Sequence, residues 1–79
     1  MSVYVDRLRP VKPTAAWPWP YAAHLTADSP EELHAFAGWL GLKKEWFQDH
    51  PRHPHYDLTV TKHLAAKKRG AVEIGKEIP

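Results

Sequence analysis

The sequence predicts a small two-layer α/β sandwich, with about four short strands, mixed or mostly parallel, and two helices. Three observations carry that reading. The chain opens on an alternating, β-branched run, Ser2-Val3-Tyr4-Val5-Asp6; its middle holds a helix with both ends signalled, between Ser29 and Gly41; and a second capped segment, Thr59 to Gly70, leads into the short apolar run Ala71-Val72-Glu73-Ile74. With 79 residues, 43% of them hydrophobic, the chain can fill one core but not two, so residues 1–79 are read as a single domain.

The first strand ends at Asp6. From Arg9 to Pro20, Pro10, Pro13, Pro18 and Pro20 exclude a helix and withhold ladder donors, so residues 9–21 are expected to form an extended Pro/Trp-rich segment. Trp17, Trp19 and Tyr21 recur there at a spacing of two, which in an extended chain turns the three rings to one side. They would either plug a sheet edge or lie as a lid over a ligand groove. Ala22 to Asp28 reads as the second strand.

Helix one is the most strongly marked element. Ser29-Pro30-Glu31-Glu32 supplies an N-cap serine, a proline at the first helical position and a glutamate closing a capping box. Leu33, Phe36, Ala37 and Leu40 make one apolar face, and Gly41 followed by Leu42 ends it. Glu45-Trp46-Phe47-Gln48 is short and aromatic and reads as a third strand; Asp49 to Pro54 follows as a polar loop rich in His and Pro. Thr59 is the expected N-cap of a second helix running through Arg69 and stopped by Gly70. Lys67, Lys68 and Arg69 fall in its last turn, where they complement the helix dipole.

Composition narrows the functional classes. The absence of cysteine excludes a disulfide framework and a thiolate zinc site, and a reducing, cytoplasmic setting is expected. No apolar run approaches the roughly 20 residues of a membrane span, and Asp6, Arg7 and Arg9 stand where a signal peptide would be apolar, so no membrane partner is expected. A net charge of +2 with six histidines permits phosphate partners without demanding them.

If the middle strands are parallel, the residues beyond their carboxyl ends gather in one crevice, which selects Asp6, Asp28 and Gln48-Asp49, joined by His55-Tyr56-Asp57 before helix two and by His34 from helix one. Histidine with carboxylate is the chemistry of proton transfer near neutral pH, or of holding a divalent metal. On this reading His34, His55 and Asp57 are the candidate catalytic residues. His24, Trp46, Gln48 and Tyr56 are the candidate ligand-binding residues, and Asp28 and Asp57 the candidate metal ligands. His50 and His53 read as an exposed loop or an adventitious chelator, and no fixed metal-binding spacing such as HExxH occurs.

Val3-Tyr4-Val5-Asp6, His24-Leu25-x-Ala27-Asp28, Glu32-Leu33-His34-Ala35-Phe36-Ala37, Leu40-Gly41-Leu42, Trp46-Phe47-Gln48, His55-Tyr56-Asp57-Leu58-Thr59 and Gly70-Ala71-Val72, in this order, resemble the bacterial and phage domain-of-unknown-function family numbered 4031. The likeness covers nearly the whole chain. The family has no established activity; its members stand alone or beside phosphohydrolase-like domains of the HD type, a neighbourhood that points toward nucleotides. Arg7 stands where the family usually has a second acidic residue after Asp6, which leaves a single carboxylate at that strand end.

Two functional expectations follow. The first is a pocket for a phosphate-bearing ligand, nucleotide or nucleic acid, built from the His/Asp/Trp/Gln cluster and steered by Lys43, Lys44, Arg52 and the helix-two lysines. A small hydrolase or phosphodiesterase-like activity, with or without a divalent metal, is its catalytic form. The alternative is a protein-interaction or assembly module, including a homo-oligomer, that uses the Pro/Trp-rich segment.

Overall fold

A computed structural model of the chain describes residues 2–51 and 53–75. Arg52, expected above to steer phosphate, lies outside the described residues. The strands are β1 (Val3–Val5), β2 (Arg9–Pro10), β3 (Tyr21–Ala27), β4 (Tyr56–Leu58) and β5 (Val72–Glu73); the helices are α1 (Pro30–Trp39) and α2 (Val60–Lys68), with a single 3-10 turn at Lys44–Trp46. The result is a small α/β domain with a mixed sheet of five short strands.

β3 is the organising strand. β1 pairs with it antiparallel through Val3↔Ala27, Tyr4↔Thr26 and Val5↔Leu25, β4 pairs antiparallel through Ala23↔Leu58, His24↔Asp57 and Leu25↔Tyr56, and β5 joins β1 in parallel. β2 continues along β3 with Arg9 opposite Ala22 and Pro10 opposite Tyr21. Three residues lie between Val5 and Arg9 but only two between Ala22 and Leu25, so the chain carries one extra residue between β1 and β2, a bulge in the stretch that starts at Asp6.

Alternation along the strands divides the sheet's two faces. Val5, Ala23, Leu25, Tyr56 and Leu58 turn inward and form one buried cluster with Leu33, Phe36, Ala37 and Leu40 of the α1 region and Ala66 of α2. Tyr4, Asp6, His24, Thr26 and Asp57 therefore belong to the other face.

The helix signals are read correctly by the chain. The Ser29 side chain accepts from the Glu32 N–H and Pro30 opens α1; Thr59 caps α2 by accepting from the Lys62 N–H. Gly41 and Gly70 follow the helices with φ of +81° and +101°, the left-handed conformation that costs glycine least.

Two segments depart from the sequence reading. Glu45-Trp46-Phe47-Gln48 is not a strand: Lys44 to Trp46 close a 3-10 turn and only Gln48 makes an isolated bridge, to His55. The strand lies ten residues further on, at Tyr56-Asp57-Leu58, in the stretch expected to be the loop before helix two. Nor are the middle strands parallel. β3 runs opposite to both β1 and β4, so the crevice at parallel carboxyl ends does not exist, and polar groups meet on the sheet's open face instead.

Candidate functional site

The bulge that starts at Asp6 builds the first part of the site. The Asp6 N–H still donates to the His24 carbonyl at 3.2 Å, but the Asp6 carbonyl turns away and accepts from His63 Nε2 of α2 at 2.8 Å. The Asp6 side chain takes over the abandoned ladder position: Oδ1 accepts from the His24 N–H and Oδ2 meets His24 Nδ1, both at 2.6 Å. Asp6 is wholly buried, and its carboxylate can only accept, so His24 carries its neutral-form proton on Nδ1 and presents Nε2 outward. The Arg9 guanidinium runs alongside that ring, with Nη2 3.2 Å from Nε2 and Nη1 3.5 Å from Nδ1.

β4 supplies the second part. Asp57 lies directly across from His24, and His55, two residues earlier, shares its face. His55 Nδ1 donates to the His53 carbonyl at 2.7 Å, which fixes the same tautomer as in His24 and leaves Nε2 as the outward nitrogen. Asp57 Oδ1 is 3.5 Å from His55 Nε2 and 3.9 Å from His24 Nε2, and the two imidazoles meet edge to face with centroids 4.6 Å apart. Gln48 Nε2 donates to Asp57 Oδ2 at 3.4 Å. The hydrogen bond to Asp57 raises the His55 pKa against the opposing effect of burial, and the same bond holds the Asp57 carboxyl below its usual range. Among the described residues, His24, His55 and Asp57 are the group whose donor atoms converge closely enough to share an ion.

Beside this cluster opens a cleft of about 770 Å³. Part of its lining is aromatic: Trp17 and Trp19, edge to face at 4.9 Å on the segment between β2 and β3, with Tyr21 at the start of β3. That segment is a hairpin excursion held by Val11 N–H to the Pro20 carbonyl and Thr14 N–H to the Trp17 carbonyl, and the Trp17 indole N–H donates to the Tyr21 carbonyl. The rings do line one side together, as their spacing requires, but Trp19 and Tyr21 stay exposed and are not a buried plug. Trp46, with Lys43 over its ring, the first turn of α2 from Thr59 to Lys62, and the polar side chains of Gln48 and Asp57 also line the cleft. The Lys62 ammonium there donates to the Leu40 carbonyl.

The structure thus gathers His24, His55, Asp57, Gln48 and Trp46 and separates the rest. His34 is on the helix side of the sheet, where its Nδ1 shares a 2.8 Å hydrogen bond with the Tyr56 hydroxyl and its ring packs on Phe47. Tyr56 is 1% exposed and part of the core; as the neighbour of Asp57 on a strand it must point the opposite way. His34 therefore does not join His55 and Asp57, and the three candidate catalytic residues do not form one site. Asp28 is four residues beyond His24 along β3, about 13 Å. It accepts from the Ser2 N–H and the Tyr4 hydroxyl, and it does not join Asp57. The sequence reading noted Asp6 as a strand-end acid without its orienting role, and it missed Arg9 and His63. An acid preceding a register slip is a non-local feature, visible only once β1 and β3 are paired.

Comparison with protein families places residues 3–78 in the one described as a protein of unknown function, DUF4031. The chain belongs to this family. The match spans nearly the whole domain, as the resemblance of its motifs implied. Comparisons with curated proteins and with solved structures find no match. No helix among the described residues is long and apolar enough to cross a membrane.

Proposed function

We propose that this DUF4031 domain binds a nucleotide in the cleft, with the base held between the Trp17/Trp19 pair and Trp46 and its edge read by the Gln48 amide. The observation that carries this reading is the pairing of exposed aromatic rings with polar side chains in one concavity of about 770 Å³, a size that suits a small ligand. Aromatic rings lining a cleft favour a planar partner, because a ring face that meets a base offers dispersion and π contact worth about 1–3 kcal/mol per base. The first turn of α2 lines the same cleft and favours an anion through its dipole and amide groups. Should the bound ligand be turned over, His55 and Asp57 are the groups set to move a proton at its phosphate, as a His–carboxylate pair in hydrogen-bond contact.

Titration of the protein with nucleoside mono-, di- and triphosphates, followed by tryptophan fluorescence at low and high salt, tests the proposal. Saturable quenching that weakens with salt and disappears in Trp46→Ala is expected. Fluorescence that ignores nucleotide but varies with protein concentration would overturn it in favour of assembly through the same rings.

A further inference from the structure

We infer that His24 Nε2, His55 Nε2 and an Asp57 carboxylate oxygen form a binding site for a divalent first-row transition ion such as Zn²⁺. The inference stands on donor geometry alone and holds whether or not the cleft takes a nucleotide. Two imidazole nitrogens and one carboxylate, on one sheet face, are the three-ligand set that leaves coordination positions open for water or substrate.

Each ligand is already oriented from behind. Metal-binding histidines usually donate their second ring N–H to a carboxylate or a carbonyl, which fixes the tautomer and makes the other nitrogen a better donor. Here both forms occur: Asp6 holds His24 at 2.6 Å and the His53 carbonyl holds His55 at 2.7 Å. A pair of histidines packed only for structure has no need to have both Nδ1 protons tied back and both Nε2 atoms turned toward one carboxylate. Asp6 makes the stronger case because it is fully buried and both its oxygens meet His24, with Arg9 Nη1 3.8 Å from Oδ2.

The distances fit. Ligand atoms about 2.1 Å from an ion at tetrahedral angles are about 3.4 Å apart. Asp57 Oδ1 is 3.5 Å from His55 Nε2 and 3.9 Å from His24 Nε2, and the three donor atoms lie within 4.8 Å of one another, so rotation about side-chain bonds closes the set without moving the strands. In the metal-free protein Arg9 Nη2 lies 3.2 Å from His24 Nε2, within hydrogen-bond reach of the nitrogen that would hold the ion, so metal binding displaces the guanidinium, whose side chain is 29% exposed and has solvent to move into. An ion there also answers a difficulty of the cleft: a phosphate approaching Asp57 meets a carboxylate unless a cation lies between them.

The test uses tag-free, chelator-stripped protein and the metal alone. Isothermal titration with Zn²⁺ should give one ion per chain, and Co²⁺ should give visible absorption bands of a low-coordinate site with nitrogen ligands. His55→Ala, Asp57→Ala and His24→Ala should each abolish binding while circular dichroism shows the fold retained. Asp6→Asn should weaken it about 10- to 100-fold as a positioning residue. His50→Ala and His53→Ala should leave it unchanged, since the His53 contribution is its backbone carbonyl. Should His24→Ala unfold, His55→Ala and the Co²⁺ spectrum decide alone. Absence of binding by the wild-type protein, or binding that survives His55→Ala and is lost in His50→Ala or His53→Ala, overturns the inference.

Discussion

Histidines meet hydrogen-bond partners on both faces of β3 and β4, one from α1 on the helix face and two on the open face, and the two groups are wired in opposite senses. On the helix face His34 ends at the Tyr56 hydroxyl, a group that can donate or accept, within a packed aromatic cluster of Phe47 and Tyr56. On the open face His24 and His55 are tied back by acceptors and direct their remaining nitrogens at a third acceptor, Asp57. The first arrangement is complete without a ligand. The second gathers acceptors around Asp57, with the Arg9 guanidinium alongside His24, and it lies beside a cleft. One-residue alternation separates the histidine of the packed aromatic cluster from the outward His–Asp group: His55 and Asp57 face outward because Tyr56 between them faces in.

The largest effect that would sharpen this contrast is at Asp6. Asp6→Ala leaves the part-buried His24 N–H and Nδ1–H without their acceptor at the bulge, and at about 1–3 kcal/mol for each unsatisfied donor a loss of about 2–5 kcal/mol in urea unfolding of the metal-free protein is expected. A loss under about 1 kcal/mol would mean that water substitutes for the carboxylate and that the bulge is not held as described. Next comes the helix face. His34→Ala strands the buried Tyr56 hydroxyl and should cost about 1–3 kcal/mol while leaving Zn²⁺ affinity unchanged. A variant that folds normally yet binds metal poorly would erase the distinction between the faces.

Those two residues also mark how much the sequence discloses. The ends of α1 and α2 are legible because Ser29, Pro30, Thr59, Gly41 and Gly70 act on their immediate neighbours. Tyr56-Asp57-Leu58 is not legible as a strand, since three residues beside prolines and histidines have no periodicity and become β only through pairing with Ala23-His24-Leu25. The aromatic Trp46-Phe47 pair misleads for the converse reason: its residues favour strands, yet Lys43 to Phe47 close a turn through the Trp46 N–H and the Phe47 N–H. His24, His55, Asp57 and Gln48 could be named as candidates from their chemistry, but their convergence depends on the β3–β4 register, and the exclusion of His34 and Asp28 on the same pairing.

A smaller effect concerns pH. In metal-free protein the raised His55 pKa makes its ion pair with Asp57 stabilising below the unfolded-state value of about 6.5, a contribution lost as pH rises through the folded pKa. The lowered Asp57 pKa makes the same pair stabilising above about 3.9, lost as pH falls through its own folded value. Asp57→Asn should therefore lower the Tm more at pH 5.5 than at pH 8, by an amount worth less than about 1 kcal/mol. Equal losses at both pH values would show that the two groups do not share charge in solution. The smallest stability change belongs to the cleft wall: Trp46 is 50% exposed, so Trp46→Ala should shift unfolding by no more than about 0.5 kcal/mol while removing nucleotide-dependent quenching.

The most direct measurement follows all six imidazoles at once by long-range ¹H–¹⁵N correlation NMR during a Zn²⁺ titration of the chelator-stripped protein. The account requires His24 and His55 to begin with protonated Nδ1 and to show their large shifts at Nε2, in step, saturating at one equivalent, while His34 and His63 keep their resonances. Shifts led by His50 and His53, or a His34 resonance that moves together with His55, would contradict it.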